Sequence, residues 1–360
     1  MDPRRSISLA VALILAACSP AESADPSSIA DTIDTSSAAD TTAAADTSTT
    51  ADTTAPADIA DTTPAATPLR PCPASGKGAV AGPFCYLLTP AESGLPAAGV
   101  NAAVDQYALR PASGARGKLL LFFNGSGGSP IAGTRGPPAQ NFYATARAAG
   151  LHVLAVSYRS DNAIGTLCKG SDACFLPTRE TILSGAYQSG ASPALSAIAD
   201  HEGAYARIAA GLQALAERDP QGGWDAFLDS AAAKPSERIR WTKVIASGHS
   251  QGGGHAAAIA RSFAVDRVVT LSSPCDQTLV GPATWLNAAK TAFATSPAAA
   301  FHGLGAAGDG ICPGYAAIWQ VLGLAAERKH ADAVVCSGST PHGASIDCAE
   351  NAPVWSAMLE

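Results

Sequence analysis

From about Cys72 to its end, this chain alternates short apolar runs with alanine-rich stretches. Residues 84–89 (FCYLLT) and 104–109 (VDQYAL) read as early strands. Residues 118–123 (KLLLFF) form a near-continuous apolar run bounded by glycine, the pattern of a strand buried on both faces. A helical stretch at 139–149 precedes the next strand, 151–157 (LHVLAVS). Residues 196–217 carry Ile198, Tyr205, Ile208, Leu212 and Leu215 at helical spacing. Then come a strand at 241–246 (WTKVIA), a helix after Ser250, and strands at 266–271 (DRVVTL) and 300–305 (AFHGLG). A helix at 315–326 and a last short strand at 333–336 (AVVC) follow. Alternation of this kind predicts an α/β fold, a mainly parallel central sheet with helices on both faces. Such a sheet gathers ligands and catalytic groups at the carboxyl ends of its strands.

The first 70 residues are different material. Arg4 and Arg5 precede the apolar run 7–17 (ISLAVALILAA), which has signal-peptide length and is too short to span a bilayer permanently. It ends in Leu15-Ala16-Ala17-Cys18, which resembles the bacterial lipoprotein box. That resemblance implies lipidation of Cys18 after cleavage, and it makes residues 1–18 a lipoprotein signal. Residues 19–70 are mostly Ala, Asp, Thr, Ser and Pro, with imperfect Ala-Asp-Thr-Thr repeats and no aromatic residue. They cannot bury enough apolar area to offset chain entropy, so a disordered tether is expected there. Residues 71–360 are expected to form the folded domain.

Charge follows the same division. Ten of the 30 acidic residues lie before Arg70, with only Arg4 and Arg5 opposing them. The remainder is close to neutral, so nothing in the charge pattern points to a nucleic-acid partner. No later segment is long and apolar enough to cross a membrane, so the lipid would be the only anchor. The expected location is an outer membrane or cell surface, and the domain is expected to be monomeric.

Besides Cys18 there are eight cysteines, an even number in a chain expected to be exported, which reads as disulfides. Eight cysteines allow 105 connectivities. Nearest-neighbour pairing is favoured: Cys72–Cys85, Cys168–Cys174, Cys275–Cys312 and Cys336–Cys348. No CxxC or paired Cys/His spacing calls for a metal.

Between a predicted strand and a predicted helix stands Ser247-Gly248-His249-Ser250-Gln251-Gly252-Gly253-Gly254-His255. It contains G-x-S-x-G, the spacing of a nucleophile held on a sharp turn. Residues two before and two after the serine approach too closely to carry side chains. The motif alone is weak; its strand–turn–helix setting strengthens it.

With this setting the chain resembles the α/β-hydrolase superfamily over most of residues 80 to 360. The resemblance implies a serine, an acid and a histidine in that chain order. Ser250 matches the nucleophile. Asp309, in Gly308-Asp309-Gly310 past a predicted strand, matches the acid, and His342, in a glycine-bearing loop after the last strand, matches the base. Asp276, after the preceding strand, is an alternative acid, because some relatives supply theirs from that place. His152, His201, His249, His255, His302 and His330 are read as packing or surface residues. The resemblance also implies an oxyanion hole from the backbone N–H of Gln251 and one from the loop Asn124-Gly125-Ser126-Gly127-Gly128, with Ser126 favoured and Gly125 next. That loop departs from the His-Gly-Gly-Gly form of many lipases, with Asn124 where the histidine would stand. The stretch 161–190 is the main insertion, either a pocket wall or a stapled surface loop.

These expectations converge on an exported serine hydrolase acting on an ester or lipid-like substrate, with no metal or organic cofactor. An amidase or peptidase with the same triad is the nearest alternative. A non-catalytic surface-binding protein of the same fold is the alternative from another class.

Overall fold

The structure, a computed structural model, describes residues 69–72, 84–96, 103–111, 113–131 and 139–360. The expected signal, with Cys18, and nearly all of the expected tether lie outside the described residues. The tether's last expected residue, Arg70, belongs to the folded part. It lies in strand β1 (Arg70–Pro71) and pairs with Glu92 and Asp105.

The remaining strands are β2 (Cys85–Leu88), β3 (Gln106–Leu109), β4 (Leu119–Phe123), β5 (His152–Val156), β6 (Val244–His249) and β7 (Arg267–Leu271). A small hairpin, β8 (Gln277–Thr278) with β9 (Gly281–Pro282), stands apart. Strands β10 (Phe301–Leu304) and β11 (Lys329–His330) complete the set. The nine-stranded sheet runs β1-β2-β3-β5-β4-β6-β7-β10-β11. From β5 through β11 every neighbouring pair is parallel, and β1 to β3 form an antiparallel edge. This is the α/β-hydrolase fold.

The helices are α1 (Gln140–Ala148), α2 (Ile164–Cys168), α3 (Asp172–Ser184), α4 (Ala204–Arg218), α5 (Gln251–Ser262), α6 (Pro297–Ala300), α7 (Tyr315–Val321), α8 (Pro341–Asp347) and α9 (Ala352–Leu359). Two cores form because successive residues of a strand point to opposite faces. Leu119, Leu121 and Phe123 of β4 pack in one core with residues of α3, α4, α5 and α7. Leu120 and Phe122 pack in the other with Phe142 and Tyr143 of α1 and Trp355 of α9. Every residue of β4 is buried, which is why its sequence shows no polar alternation.

Register sets the position of the site. Phe123 pairs with Gly248, His249 with Leu271, and Leu271 with Leu304, so four strands reach their carboxyl ends on one line. The loops after them therefore meet.

Three predicted elements shift furthest. Residues 333–336 form no strand. Ala333 donates to Gly305, just past the end of β10, and Val334 bonds through its backbone to the Asn351 side chain instead of to a strand. The last strand is β11, and His330 lies in it. The helix expected over 315–326 stops at Val321, with Gly323 at φ 74° in the left-handed turn that follows. The helix expected from 196 begins at Ala204, preceded by single turns at Pro193–Leu195 and Asp200–Glu202, the second of which carries His201.

Candidate active site

Strand β6 runs straight into Ser250, and α5 begins at the next residue. Ser250 has φ 55° and ψ −123°, a left-handed conformation costly for a residue with a side chain. The surroundings leave no alternative. A Cβ on Gly248 would lie 2.3 Å from the carbonyl carbon of Gly252, and one on Gly252 would lie 2.0 Å from the Phe123 oxygen. Real Cβ atoms do not come so close, so the glycines on either side of the serine are a steric requirement of the turn. The Ser250 N–H donates to Leu271 at 3.0 Å, fixing the turn to β7.

Ser250 and His342 line one cavity of about 440 Å³, together with Gly125, Ser126, Ala163, His249, Ile311 and Ile346. No hydrogen bond links the Ser250 hydroxyl to the His342 ring in this structure; such contacts commonly tighten only when substrate is bound. His342 lies in the first turn of α8 rather than in a free loop. Thr340 caps that helix, its hydroxyl accepting from the Gly343 N–H at 3.1 Å. His342 Nδ1 meets Asp309 Oδ1 at 3.0 Å and Oδ2 at 2.9 Å, with both side chains buried or nearly so. Asp309 is itself oriented, since its Oδ1 accepts from the N–H groups of Ile311 and Cys312 at 3.0 and 2.9 Å.

Asp276 is not in this arrangement. It is buried against Arg179, which donates to it through Nε at 2.8 Å and also through Nη2, and against Trp285, whose Nε1 donates at 3.0 Å. Both of its oxygens are taken by the core.

Gln251 is the first residue of α5, where the helix offers its N–H no internal acceptor. Its side chain forms a junction. Gln251 Oε1 accepts from the Ser126 hydroxyl at 2.8 Å and from the Ile164 N–H at 2.9 Å, joining the loop after β4 and the start of the insertion to the serine's helix. Gly125 leaves room for Ser250: a Cβ there would sit 3.1 Å from the Ser250 Cβ. The insertion is more than a stapled surface loop. Ala163 lines the cavity, while α3 buries Phe175 and Ile182 in the core.

All four expected disulfide pairs are bonded: Cys72–Cys85, Cys168–Cys174, Cys275–Cys312 and Cys336–Cys348. Among the described residues one cluster of possible metal ligands occurs, Cys336, Cys348 and Glu350, and both its sulfurs are committed to a disulfide. No helix among the described residues is long and apolar enough to cross a membrane.

No family model and no curated protein matches this chain. Solved structures do resemble it. A thermostable carboxylesterase from a metagenomic library is 15% identical, over 79% of this chain and 92% of that one, with a TM-score of 0.37. An alpha-beta serine hydrolase homologue from Coxiella burnetii is 13% identical over 78% and 99%, with a TM-score of 0.39. A hormone-sensitive lipase from a metagenome library is 14% identical over 76% and 90%, with a TM-score of 0.34. At these scores the likenesses carry no argument; the fold rests on strand order, and the chemistry on the cavity's own geometry.

Two residues gain roles at the site that the sequence did not announce. Arg179 reaches across α5 to Asp276 and donates through Nη1 to the Gln251 carbonyl at 2.8 Å. The clue in the sequence was Gly254, where a Cβ would fall 2.2 Å from the Arg179 guanidinium carbon. His249 lines the cavity beside Ser250 rather than merely packing. The remaining histidines other than His342 lie outside the residues lining the cavity. His255, for example, is wholly buried against Phe123 and Tyr158, and neither ring nitrogen has a partner.

Proposed function

We propose that this chain is a serine hydrolase that cleaves carboxylic esters through Ser250, His342 and Asp309. The observation that carries the reading is the convergence of a strained serine and an Asp-held histidine on one cavity. In this mechanism His342 Nε2 takes the Ser250 proton as Oγ attacks the ester carbonyl. The oxyanion of the tetrahedral intermediate accepts from the backbone N–H groups of Gln251 and Ser126. As the carbonyl re-forms and the C–O bond breaks, His342 returns the proton to the departing alkoxide. Water, deprotonated by the same imidazole, then releases the acid and regenerates Ser250. Asp309 holds the Nδ1–H tautomer and stabilises the imidazolium.

The apolar part of the lining, Ala163, Ile311 and Ile346, favours a substrate with an apolar group beside the scissile bond. A fluorophosphonate probe should label the native protein and not Ser250→Ala. A panel of matched esters and amides then tests the bond type, and amide turnover equal to ester turnover would move the reading to an amidase. Absence of labelling in the native protein would favour a non-catalytic binding protein of this fold.

The proposal extends to location: an exported lipoprotein anchored through Cys18 at an outer membrane or cell surface. The Leu15-Ala16-Ala17-Cys18 sequence supports it. So do four bonded cysteine pairs, which suit an oxidising compartment. Mass spectrometry of the mature N-terminus should find a lipidated Cys18, and an unmodified start elsewhere would overturn it.

A further inference from the structure

His249 stands immediately before Ser250, at the last position of β6. Its Nε2 lies 2.9 Å from the backbone oxygen of His342. A carbonyl oxygen only accepts, so this nitrogen carries the hydrogen. The two imidazoles also lie against one another, with ring centroids 4.6 Å apart and planes inclined at 55°. His249 Nδ1 faces the loop after β4, 3.3 Å from where a Cβ on Gly125 would be. One ring thus touches the serine's strand, the histidine's helix and the glycine loop.

The base is therefore held at two points. Asp309 grips its ring through Nδ1, and His249 grips its main chain. The first contact sets tautomer and tilt; it does not set how far α8 stands from the end of β6. Among the described residues, Ser272 Oγ to Ser345 Oγ, 2.9 Å, is a further side-chain tie from the sheet's end to α8, and it lies three residues further along the helix.

We infer that His249 is a positioning residue that holds the main chain of His342 at working distance from Ser250. The inference rests on the proposed hydrolase reading. Its chemistry suits the task. Burial, followed by the proximity of His342, pushes the His249 ring down to about 4. The ring stays neutral at neutral pH, so it donates from Nε2 without placing a second positive charge beside the imidazolium that forms on His342.

Two substitutions separate the hydrogen bond from the packing. His249→Phe keeps a flat ring and loses the donor; His249→Gln offers an amide N–H near the same place. With a soluble ester, the Phe variant should lose kcat by ~10²-fold with KM nearly unchanged, the cost of roughly a 1 Å misplacement. Fluorophosphonate labelling should slow in parallel, and the Gln variant should recover most of the loss. Equal losses in the two variants, or a change in KM alone, would overturn the inference.

A second measurement does not depend on turnover. Nitrogen-15 spectra of the native protein should show His249 protonated on Nε2, and His249→Gln should perturb the His342 Nδ1–H resonance less than His249→Phe does. Protonation of His249 on Nδ1 overturns the inference even if the protein cleaves no ester. If the native protein resists the probe while these resonances behave as described, the hydrolase reading fails and the tie between the histidines stands.

Discussion

Asp309 and Asp276 are both buried, both follow strands near the sheet's carboxyl edge, and the Cys275–Cys312 disulfide ties their loops together. They nevertheless belong to different chemistry. Asp309 faces an imidazole that opens onto the cavity. Asp276 faces the Arg179 guanidinium and the Trp285 indole in the core. An imidazole exchanges protons near neutral pH, whereas arginine holds its proton throughout. Burial and proximity are the same at the two sites; the partner decides which carboxylate can support catalysis and which braces the framework.

The sharpest way to break this comparison is to remove each charge in turn. Asp309→Asn should slow acylation by ~10³–10⁴-fold, because the amide favours the wrong tautomer of His342. Stability should change little, since the side-chain oxygen can still accept from the Ile311 and Cys312 N–H groups. Asp276→Asn should show the reverse. It leaves a buried guanidinium unpaired and should cost about 3–5 kcal/mol in denaturant unfolding, with turnover per folded molecule nearly preserved. Pre-steady-state acylation and urea titration of both variants read out the exchange. If Asp276→Asn is instead the kinetically crippled variant, the assignment of the acid is wrong.

Separating the two loops should come next in size. Replacing Cys275 and Cys312 by serine removes the link and should cost about 2–5 kcal/mol. Activity should fall at lower urea than the global transition, because the loop carrying Asp309 loosens first. Coincident loss of activity and structure would show that the disulfide stabilises the whole domain and not the site.

Mild acid probes the buried histidines. Burial pushes His249 and His302 down to about 4, and the wholly buried His255 well below its usual value. Unfolding returns each to about 6.5, so between those values the unfolded chain binds more protons. Their contribution to stability is complete above about pH 6.5 and is lost as pH falls toward 4. Urea midpoints should be flat above neutrality and decline steadily between pH 6.5 and 4. A midpoint independent of pH in that window would mean that these rings are already solvated.

The smallest expected effect is Gly254→Ala. The new methyl group would run into the Arg179 guanidinium and force it to shift. A loss of about 1–3 kcal/mol is expected, the usual range for overpacking. Combined with Asp276→Asn the two losses should not add, because both act through Arg179.

Much of this was legible in the sequence, for reasons that differ by residue. The strand at 118–123 could be read because burial on both faces removes every polar residue. The turn at Ser250 could be read because backbone crowding demands glycine at 248 and 252. The disulfides at 72–85, 168–174 and 336–348 join near neighbours, where short separation already favours closure. Residues 333–336 misled because a run of alanine, valine and cysteine has strand character whatever it pairs with. Val334 finds the Asn351 side chain instead of a neighbouring strand. His249 was read as packing because nothing local says that a carbonyl from α8 arrives beside it.

Local backbone sterics and the period of apolar residues thus determined the strand–helix order and the strained serine, both of which depend on neighbours in sequence, whereas the serine–acid–histidine order was implied only by the family resemblance. The tertiary structure alone set Asp309 rather than Asp276 against His342, matched Arg179 to its carboxylate, and brought His249 to the His342 main chain. Each of those depends on the direction in which a side chain leaves one element and on what another element, dozens of residues away, presents to it.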